Sequence, residues 1–322
     1  MSMSPGRVYG RGPIFSSLQE RRSPMSLSQY EKSALMAIHA WKNPPKSFWG
    51  SAGEVISAPF DFVADKAMKI PGLEHALERS VGGVLSLLTD ASALTVRADA
   101  IFAEFDPPVV GLAEIHSLDL ERADRPIGYL AAKYKALAAA EGAVSGGASL
   151  LGPVVGGAAI LADVTTLVSL NLRAVGEYAT YYGFDVNRQE ERLYMLNVLG
   201  LASAPSDAAK AVVMAQLIRI AREVAQRKVW QQLEQHLFVH IVKQIAKALA
   251  IRLTKAKLAQ VIPAAGAAIG GGFNAYYTAK VCDAAYFLYR ERFLARKYGP
   301  EIIEASAHAG PDVDLGAGYD EG

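Results

Sequence analysis

The chain has 322 residues, enough for one large domain or two smaller ones. Apolar residues make up 51% of it and charged residues 20%, so a sizeable core is expected. Its 33 basic and 32 acidic residues nearly balance and indicate no nucleic-acid partner, while a single cysteine excludes an internal disulfide framework. That residue, Cys282, lies in an apolar run and is predicted to be a small core side chain.

The first 26 residues are rich in Ser, Gly, Pro and Arg and contain no continuous apolar stretch. This composition predicts a disordered tail over 1–26 rather than a secretory signal. A helical domain is predicted over 27–300, followed by a second disordered tail over 301–322. The first helix of the domain is predicted to begin at Ser28, with Glu31 completing a capping box, and to end before Pro44.

Helical spacing of apolar residues continues through the middle of the chain, and no strong alternating strand pattern occurs. The predicted fold class is therefore all-α, a multi-helix bundle. Asp124 is predicted to cap an Ala-rich helix, with Pro126 in its first turn. The charged run Glu190-Glu191-Arg192 is predicted to cap and solvate the start of another helix.

Two segments, 142–162 and 258–279, contain no charged residue and are rich in Gly and Ala. Each is predicted to form a Gly/Ala-rich helical hairpin, either packed tightly within a bundle or inserted into a bilayer. A nucleotide-binding glycine loop is disfavoured because the Gly-x-x-x-x-Gly-Lys pattern is absent. The residues assigned to this packing or membrane role are Gly152, Pro153, Gly156, Gly157, Pro263, Gly266, Gly270 and Gly271.

The two segments also share the spacing of Pro, Gly, Ala and Ile, and each leads into a helix with aromatic residues. A diverged internal duplication is one explanation of this similarity. Chance explains it as well, because small apolar residues match one another easily.

Four polar residues within or after these segments form a candidate polar site: Asp163, Asn171, Arg173 and Asn274. Each interrupts or closely follows an apolar run, so a buried structural pair and a functional pocket are the two interpretations. No catalytic motif is found and no cofactor is predicted. His236 and His240 share a helix face, but no third ligand or HExxH motif accompanies them, and no metal site is predicted.

Four groups of residues, in chain order, resemble the EcsC protein family. They are Tyr30-Glu31 with Trp41; the segment leading into Asp163 and on to Arg173; Tyr182-Gly183-Phe184-Asp185 with Glu191-Arg192 and Leu196; and Ile262-Pro263 with Gly266, Gly270-Gly271, Asn274, Ala284-Ala285 and Tyr289. Together they span residues 28–299. The family is a bacterial group named for a product encoded beside an ABC transporter, so the resemblance implies a link to transport or envelope processes. It brings no catalytic residue to this sequence.

The favoured functional hypothesis is a non-enzymatic accessory or interaction protein that is associated with, or close to, a membrane. A basic stretch over 243–257 fits anionic lipid headgroups, and it fits a solvated helix face equally. The predicted location is the cytoplasm, with peripheral attachment at the inner face of the membrane. The expected partners are a membrane surface, a membrane protein or a second copy of the chain. An enzyme or small-molecule binder with a polar pocket near Asp163 and Asn274 is the alternative.

Overall fold

The structure is a computed structural model that describes residues 27–43, 82–86, 94–148, 153–204, 207–225, 251, 253 and 270–303. Every regular element within these ranges is helical and none is a strand, which confirms the all-α prediction for this part of the chain. The helices are α1 (Gln29–Lys42), α2 (Ala98–Ala103), α3 (Leu112–Ile115), α4 (Leu120–Asp124), α5 (Leu130–Ala148), α6 (Pro153–Tyr181), α7 (Gln189–Ala202), α8 (Asp207–Ala225) and α9 (Gly270–Tyr298). A 3-10 turn, Arg125–Ile127, separates α4 from α5.

The first helix begins as its sequence predicts. The Ser28 hydroxyl accepts a hydrogen bond from the Glu31 backbone N–H at 3.1 Å, and the Glu31 carboxylate accepts from the Ser28 N–H at 2.8 Å. This capping box satisfies two backbone donors at the helix start. The helix then buries Ala34, Leu35 and Ile38, which lie on one face at helical spacing.

Three long helices, α5, α6 and α9, pack together and form the centre of the bundle. α5 and α6 are antiparallel, because Tyr129 contacts Tyr181 while Lys133 contacts Glu177. α6 and α9 are parallel. Asn171 of α6 bonds Thr278 of α9, and the rings of Tyr182 and Phe293 meet 6.0 Å apart farther toward the C-terminal ends of both helices.

The core is aromatic as well as aliphatic. Its largest fully buried side chains include Tyr134, Tyr181, Tyr182, Tyr194, Tyr289 and Phe293. Cys282 is 1% exposed among them, which confirms the prediction that it is a core residue. Burial raises the pKa of its thiol to about 12, so the group stays neutral and apolar in character.

The C-terminal end of α6 is fixed by a glycine. Gly183 has a φ of +82°, a conformation that glycine adopts without steric penalty. Its N–H bonds the Thr180 carbonyl at 2.9 Å, and the Phe184 N–H bonds the Ala179 carbonyl at 2.8 Å, as in a Schellman motif. The chain turns here and enters α7 a few residues later.

Several sequence predictions fall wholly or partly outside the described residues. Gly152, Pro263 and Gly266 lie there, as do His236, His240, the tail over 1–26 and the basic stretch over 243–257 except for residues 251 and 253. The backbones of Pro153, Gly156 and Gly157 are part of α6, and those of Gly270 and Gly271 begin α9. The internal duplication and the two Gly/Ala-rich hairpins stay predictions. Residues 301–303 form a helical turn in which Ile303 is buried.

Candidate functional site

A polar part of the core surrounds the C-terminal half of α9. Four charged residues of this helix form ion pairs with other helices: Arg290, Glu291, Arg292 and Lys297. Arg292 is 2% exposed and forms a two-pronged ion pair with Glu191 of α7. Its Nη1 and Nη2 atoms each donate to one Glu191 oxygen at 2.8 Å. The Tyr289 hydroxyl donates to the same carboxylate at 2.5 Å, so the buried charge is well satisfied.

The Arg292 guanidinium also lies between two aromatic rings. Its centre is 4.0 Å from the ring centroids of both Phe184 and Tyr194. Although burial disfavours the charged form, the Glu191 carboxylate raises the pKa of Arg292 above its ordinary value, so the arginine remains charged. Burial raises the pKa of Tyr289 and of Tyr194, which keeps both phenols neutral.

Asp124 at the end of α4 is the centre of a second buried cluster. It accepts hydrogen bonds from Arg290 at 2.8 Å, Tyr30 at 2.8 Å and Tyr182 at 2.6 Å. Burial raises the pKa of Asp124, and the three donors oppose that shift. These donors come from α9, α1 and the end of α6, so one carboxylate joins four segments of the fold.

Helix α1 is tied to α9 by two further ion pairs. Glu31 accepts from Lys297 at 3.0 Å and from the Tyr298 hydroxyl at 2.7 Å. Burial alone would raise the pKa of Glu31, but the hydrogen bonds from Tyr298, the Ser28 backbone and Lys297 hold it below its ordinary value. At the other end of α1, Lys42 pairs with Glu291.

Two sequence predictions are corrected by these clusters. Asp124 was expected to cap a helix, but its carboxylate makes no capping bond and accepts long-range donors instead. Glu191 and Arg192 were expected to be solvated, yet they are 3% and 6% exposed. The missed signal is the run Arg290-Glu291-Arg292, which places three charges inside an aromatic helix that otherwise reads as core.

The predicted polar site is distributed over the bundle centre. Asn171 of α6 and Asn274 of α9 are both fully buried. The Asn171 amide donates to the Leu167 carbonyl at 2.8 Å and to the Thr278 hydroxyl at 3.1 Å. Asn274 shares a face of α9 with Thr278, which is four residues on. The structure therefore brings the two asparagines onto helices that contact each other.

Arg173 is engaged elsewhere. Its side chain is 41% exposed, and its Nε atom lies 3.4 Å from the carboxylate of Glu177 on the same helix. Glu177 is also paired with Lys133 of α5 at 2.7 Å. Asp163 belongs to α6 as well, about 15 Å before Arg173 along the helix axis. That these four residues form one site remains a prediction.

Two clefts open on the described surface. One, of about 180 Å³, lies between the segment around Thr95 and the end of α6, and Thr180, Asp185 and Asn187 line it. The other, of about 150 Å³, lies between α9 and the end of α7. Neither is lined by Asn171, Arg173 or Asn274, so these three candidate residues do not contribute to either cleft.

No group of three or more His, Cys, Asp and Glu side chains with metal-binding geometry occurs in the described part of the chain. The same part contains no helix that is both long enough and apolar enough to cross a bilayer.

The charges of the three central helices are distributed unevenly. α5 ends, α6 begins and α9 begins at the same end of the bundle, as their contacts require. We call this the uncharged end: residues 142–148 of α5, 153–172 of α6 and 270–279 of α9, in which Asp163 is the one charged residue. Ala162, Thr166 and Tyr276 are exposed there. The paired charges of α9 lie toward the opposite end.

The fold defines the chain as an all-α bundle protein whose central helices have an uncharged end and an ionic end. A family model described as the EcsC protein family matches residues 63–294. Because that match covers more than half of the sequence, the chain belongs to the EcsC protein family, as the sequence resemblance implied.

A curated relative gives the same assignment. The chain is 26% identical over 167 residues to Protein EcsC of Bacillus subtilis (strain 168), a match that covers 52% of this chain and 61% of that protein. The chain thus matches less than two thirds of that relative's length. No solved structure matches the chain.

Proposed function

We propose that this protein is a non-enzymatic accessory factor that contacts a membrane surface, or a protein within the membrane, through its uncharged end. The supporting observation is the charge distribution of α5, α6 and α9. Three helices bring their uncharged turns to one end, and Ala162, Thr166 and Tyr276 are exposed there. Placing such a surface against lipid avoids most of the cost of dehydrating charged groups.

The ionic clusters also support contact through the uncharged end rather than through the opposite end. Arg292, Asp124 and Glu31 are each paired with an opposite charge inside the fold, and these pairs hold the helices together. Replacing solvent by a partner at that end would gain little from charges that are already buried and paired. The uncharged end is therefore the better candidate for contact with another surface.

The wider setting is also part of the proposal. The protein acts in the cytoplasm, peripherally at the inner face of the membrane, in a process linked to transport or the cell envelope. The family resemblance supports this link. A homo-oligomer formed through the same uncharged end is the competing arrangement, and a concentration-dependent mass in detergent-free solution would favour it.

A charge placed on the uncharged end tests the proposal. Ala162 is exposed on α6, and Ala132 is exposed near the opposite end of α5. We expect Ala162→Glu to lower binding to lipid vesicles roughly tenfold, since a carboxylate resists transfer to the bilayer interface. The matched variant Ala132→Glu should bind like the unmodified protein. Vesicle sedimentation measures both, and equal binding by the two variants contradicts the proposal.

A small-molecule binder or enzyme of unrecognised type remains the second hypothesis. The observation that favours it is the fully buried Asn171, whose Oδ1 atom has no hydrogen-bond partner among the described residues. Asp163→Ala separates the hypotheses. If the variant keeps its free energy of unfolding but loses a thermal stabilisation that small metabolites give the unmodified protein, the binder is supported. A large loss of stability indicates a structural role for Asp163.

A further inference from the structure

The cleft of about 180 Å³ is lined in part by the turn that follows α6. Phe184 and Asp185 of the sequence motif Tyr182-Gly183-Phe184-Asp185 both belong to its lining. The apolar residues of the described lining are Val96, Ala98, Leu112, Phe184 and Val186, and the polar ones are Thr95, Thr180, Asp185 and Asn187. The cleft thus combines an apolar surface with one carboxylate, two hydroxyls and an amide.

The walls of the cleft are fixed by packing. A Cβ atom at Gly176 would lie 2.8 Å from Val96, so the missing side chain lets Val96 rest directly on α6. The next residue back, Thr95, has a φ of +52°, which β-branched residues rarely adopt. On the other side, Phe184 is buried and its ring meets that of His116. A ligand would therefore enter a cleft that is largely formed in advance.

The charge of the cleft comes from Asp185, the one charged residue in its described lining. Its Oδ1 atom accepts from the backbone N–H and the side-chain amide of Asn187, both at 2.9 Å. Its Oδ2 atom accepts no hydrogen bond from a described residue. Of the nearby cations, Arg188 is paired with Glu190, and Arg97 is exposed and outside the lining. One carboxylate oxygen is thus available to a donor in the cleft.

The size and composition of the cleft define the class of ligand. An open carboxylate oxygen complements a positively charged N–H donor, because such a hydrogen bond is strengthened by charge. The apolar lining complements a short apolar body attached to that donor. An apolar cavity of about 150 Å³ holds benzene, so this cleft has room for a ligand of about six to eight non-hydrogen atoms.

We propose that this cleft binds a small primary amine in its protonated form, with the ammonium donating to Oδ2 of Asp185 and the apolar body lying against Phe184 and Val186. The site is separate from the buried Asn171 and from the surface proposed to meet a membrane. It lies at the C-terminal end of α6, away from the uncharged end, so it does not depend on the membrane contact.

The experiment compares two probes of nearly the same shape on the full chain. Benzylamine is a cation at neutral pH, and benzyl alcohol is neutral. Ligand-detected NMR titration measures both affinities. We expect benzylamine to bind with a Kd on the order of 1 mM or lower. Benzyl alcohol should bind about tenfold more weakly, since it lacks the attraction of its charge to Asp185.

Asp185→Asn tests the role of the carboxylate. The new amide keeps an oxygen that can accept from the Asn187 N–H, but it has no charge. We expect this variant to bind benzylamine about tenfold more weakly and benzyl alcohol unchanged. The matched control is Asp99→Asn, because Asp99 is exposed beside the lining residue Ala98 but does not line the cleft. Equal losses in the two variants would overturn the site, since they would reflect net charge alone.

A second pair of variants tests the cleft without changing any charge. Ala98→Leu places extra apolar volume in the cleft and should abolish binding of both probes. Ala103→Leu, at an exposed position of the same helix that is outside the lining, should leave binding unchanged. Circular dichroism verifies that each variant retains its helical content. If Asp185→Asn does not fold, this pair decides the question, and unchanged binding by a folded Ala98→Leu overturns the site.

The unmodified protein can also refute the proposal. Equal affinities for benzylamine and benzyl alcohol, or no binding of benzylamine up to about 10 mM, would overturn the amine site. Either result leaves the membrane contact standing, because that contact is measured separately with lipid vesicles.

Discussion

Arg292 depends on a carboxylate that is 101 residues away in the chain. Within a buried and aromatic environment, its charge is stable because Glu191 supplies two acceptor oxygens and two rings cover its faces. Such a pair adds little net stability compared with apolar residues of the same size, because both ions lose their hydration. It matters instead because each ion is costly without the other, which fixes how α7 and α9 meet.

We therefore expect Arg292→Met to lower the free energy of unfolding by about 3–5 kcal/mol, since Glu191 stays buried without its cation. Urea unfolding followed by circular dichroism measures the loss. Adding Glu191→Leu should recover part of it. The control is Arg125→Met, because Arg125 and its partner Glu121 are 67% and 60% exposed and such a pair contributes about 0–1 kcal/mol. Similar losses in Arg292→Met and Arg125→Met would show that burial does not set the cost.

His116 gives the fold a pH dependence. Neither ring nitrogen has a hydrogen-bond partner among the described residues, and the ring meets Phe184 edge-on. Burial, together with the positive charges of Arg296 and Arg292, lowers the pKa of His116 to about 4. The pKa of His116 in the folded state lies below its unfolded value of 6.5. The contribution of neutral His116 to the free energy of unfolding is therefore fully present above pH 6.5 and is lost as the pH falls through 4.

The variant His116→Leu should remove this dependence. At pH 7 we expect it to be neutral or more stable by about 1 kcal/mol, because two buried ring nitrogens that have no hydrogen-bond partner among the described residues are replaced by apolar atoms. Between pH 6.5 and 4 its unfolding free energy should fall less steeply than that of the unmodified protein. Chemical denaturation at several pH values tests this, with His39→Leu as the control for removing a histidine. Parallel pH profiles for His116→Leu and the unmodified protein would refute the assignment.

Two acidic residues whose surroundings were predicted wrongly from the sequence have partners that are distant in the chain. Asp124 and Glu191 look like cap or surface residues because their neighbours in the chain are polar, but their partners are Arg290 and Arg292 in a distant helix. Periodicity and capping rules report only local contacts. By contrast, Ser28 with Glu31 and the apolar surroundings of Cys282 are local signals, and both predictions are confirmed.

The turn after α6 is set by Gly183, and its substitution tests how tightly that turn is packed. A Cβ atom there would lie 2.7 Å from the His116 ring, and the positive φ strains any other residue. We expect Gly183→Ala to destabilise the fold by about 1–3 kcal/mol. Gly128→Ala is the matched control, because no atom of another described residue, its chain neighbours aside, lies within 4 Å of its Cβ position, and its φ of −54° is helical.

Thermal unfolding of these two variants provides the comparison. Gly128→Ala should be neutral or stabilising by about 0.4–1 kcal/mol, since alanine reduces the freedom of the unfolded chain. If Gly183→Ala were equally well tolerated, the left-handed turn would not be a constraint on how α6 meets α7.

At the level of helices, the sequence predicted the type of element better than the contacts between elements. The helical class and the start of α1 follow from spacing and capping. The parallel packing of α6 and α9 does not, because it depends on pairs such as Asn171 with Thr278 that are 107 residues apart. The candidate polar residues were identified individually, but the burial of Asn171 and Asn274 and the partly exposed ion pair of Arg173 with Glu177 are seen only in the three-dimensional arrangement.

At the largest scale that the structure describes, the three central helices are polarised along their axes. Buried ion pairs hold α1, α4, α7 and α9 together at one end. The other end combines the uncharged turns of α5, α6 and α9 with the cleft between α9 and the end of α7. Under the proposed function, the paired charges keep the helices together while the uncharged turns contact an apolar surface.

The most direct measurement compares the surroundings of the two ends on a membrane. The chain has one cysteine, and it is buried, so a polarity-sensitive fluorophore can be attached through Ala162→Cys or Ala132→Cys. With lipid vesicles, we expect emission at shorter wavelength from the label at Ala162→Cys and unchanged emission from the label at Ala132→Cys. A shift of equal size at both positions, or at Ala132→Cys alone, would contradict membrane contact through the uncharged end.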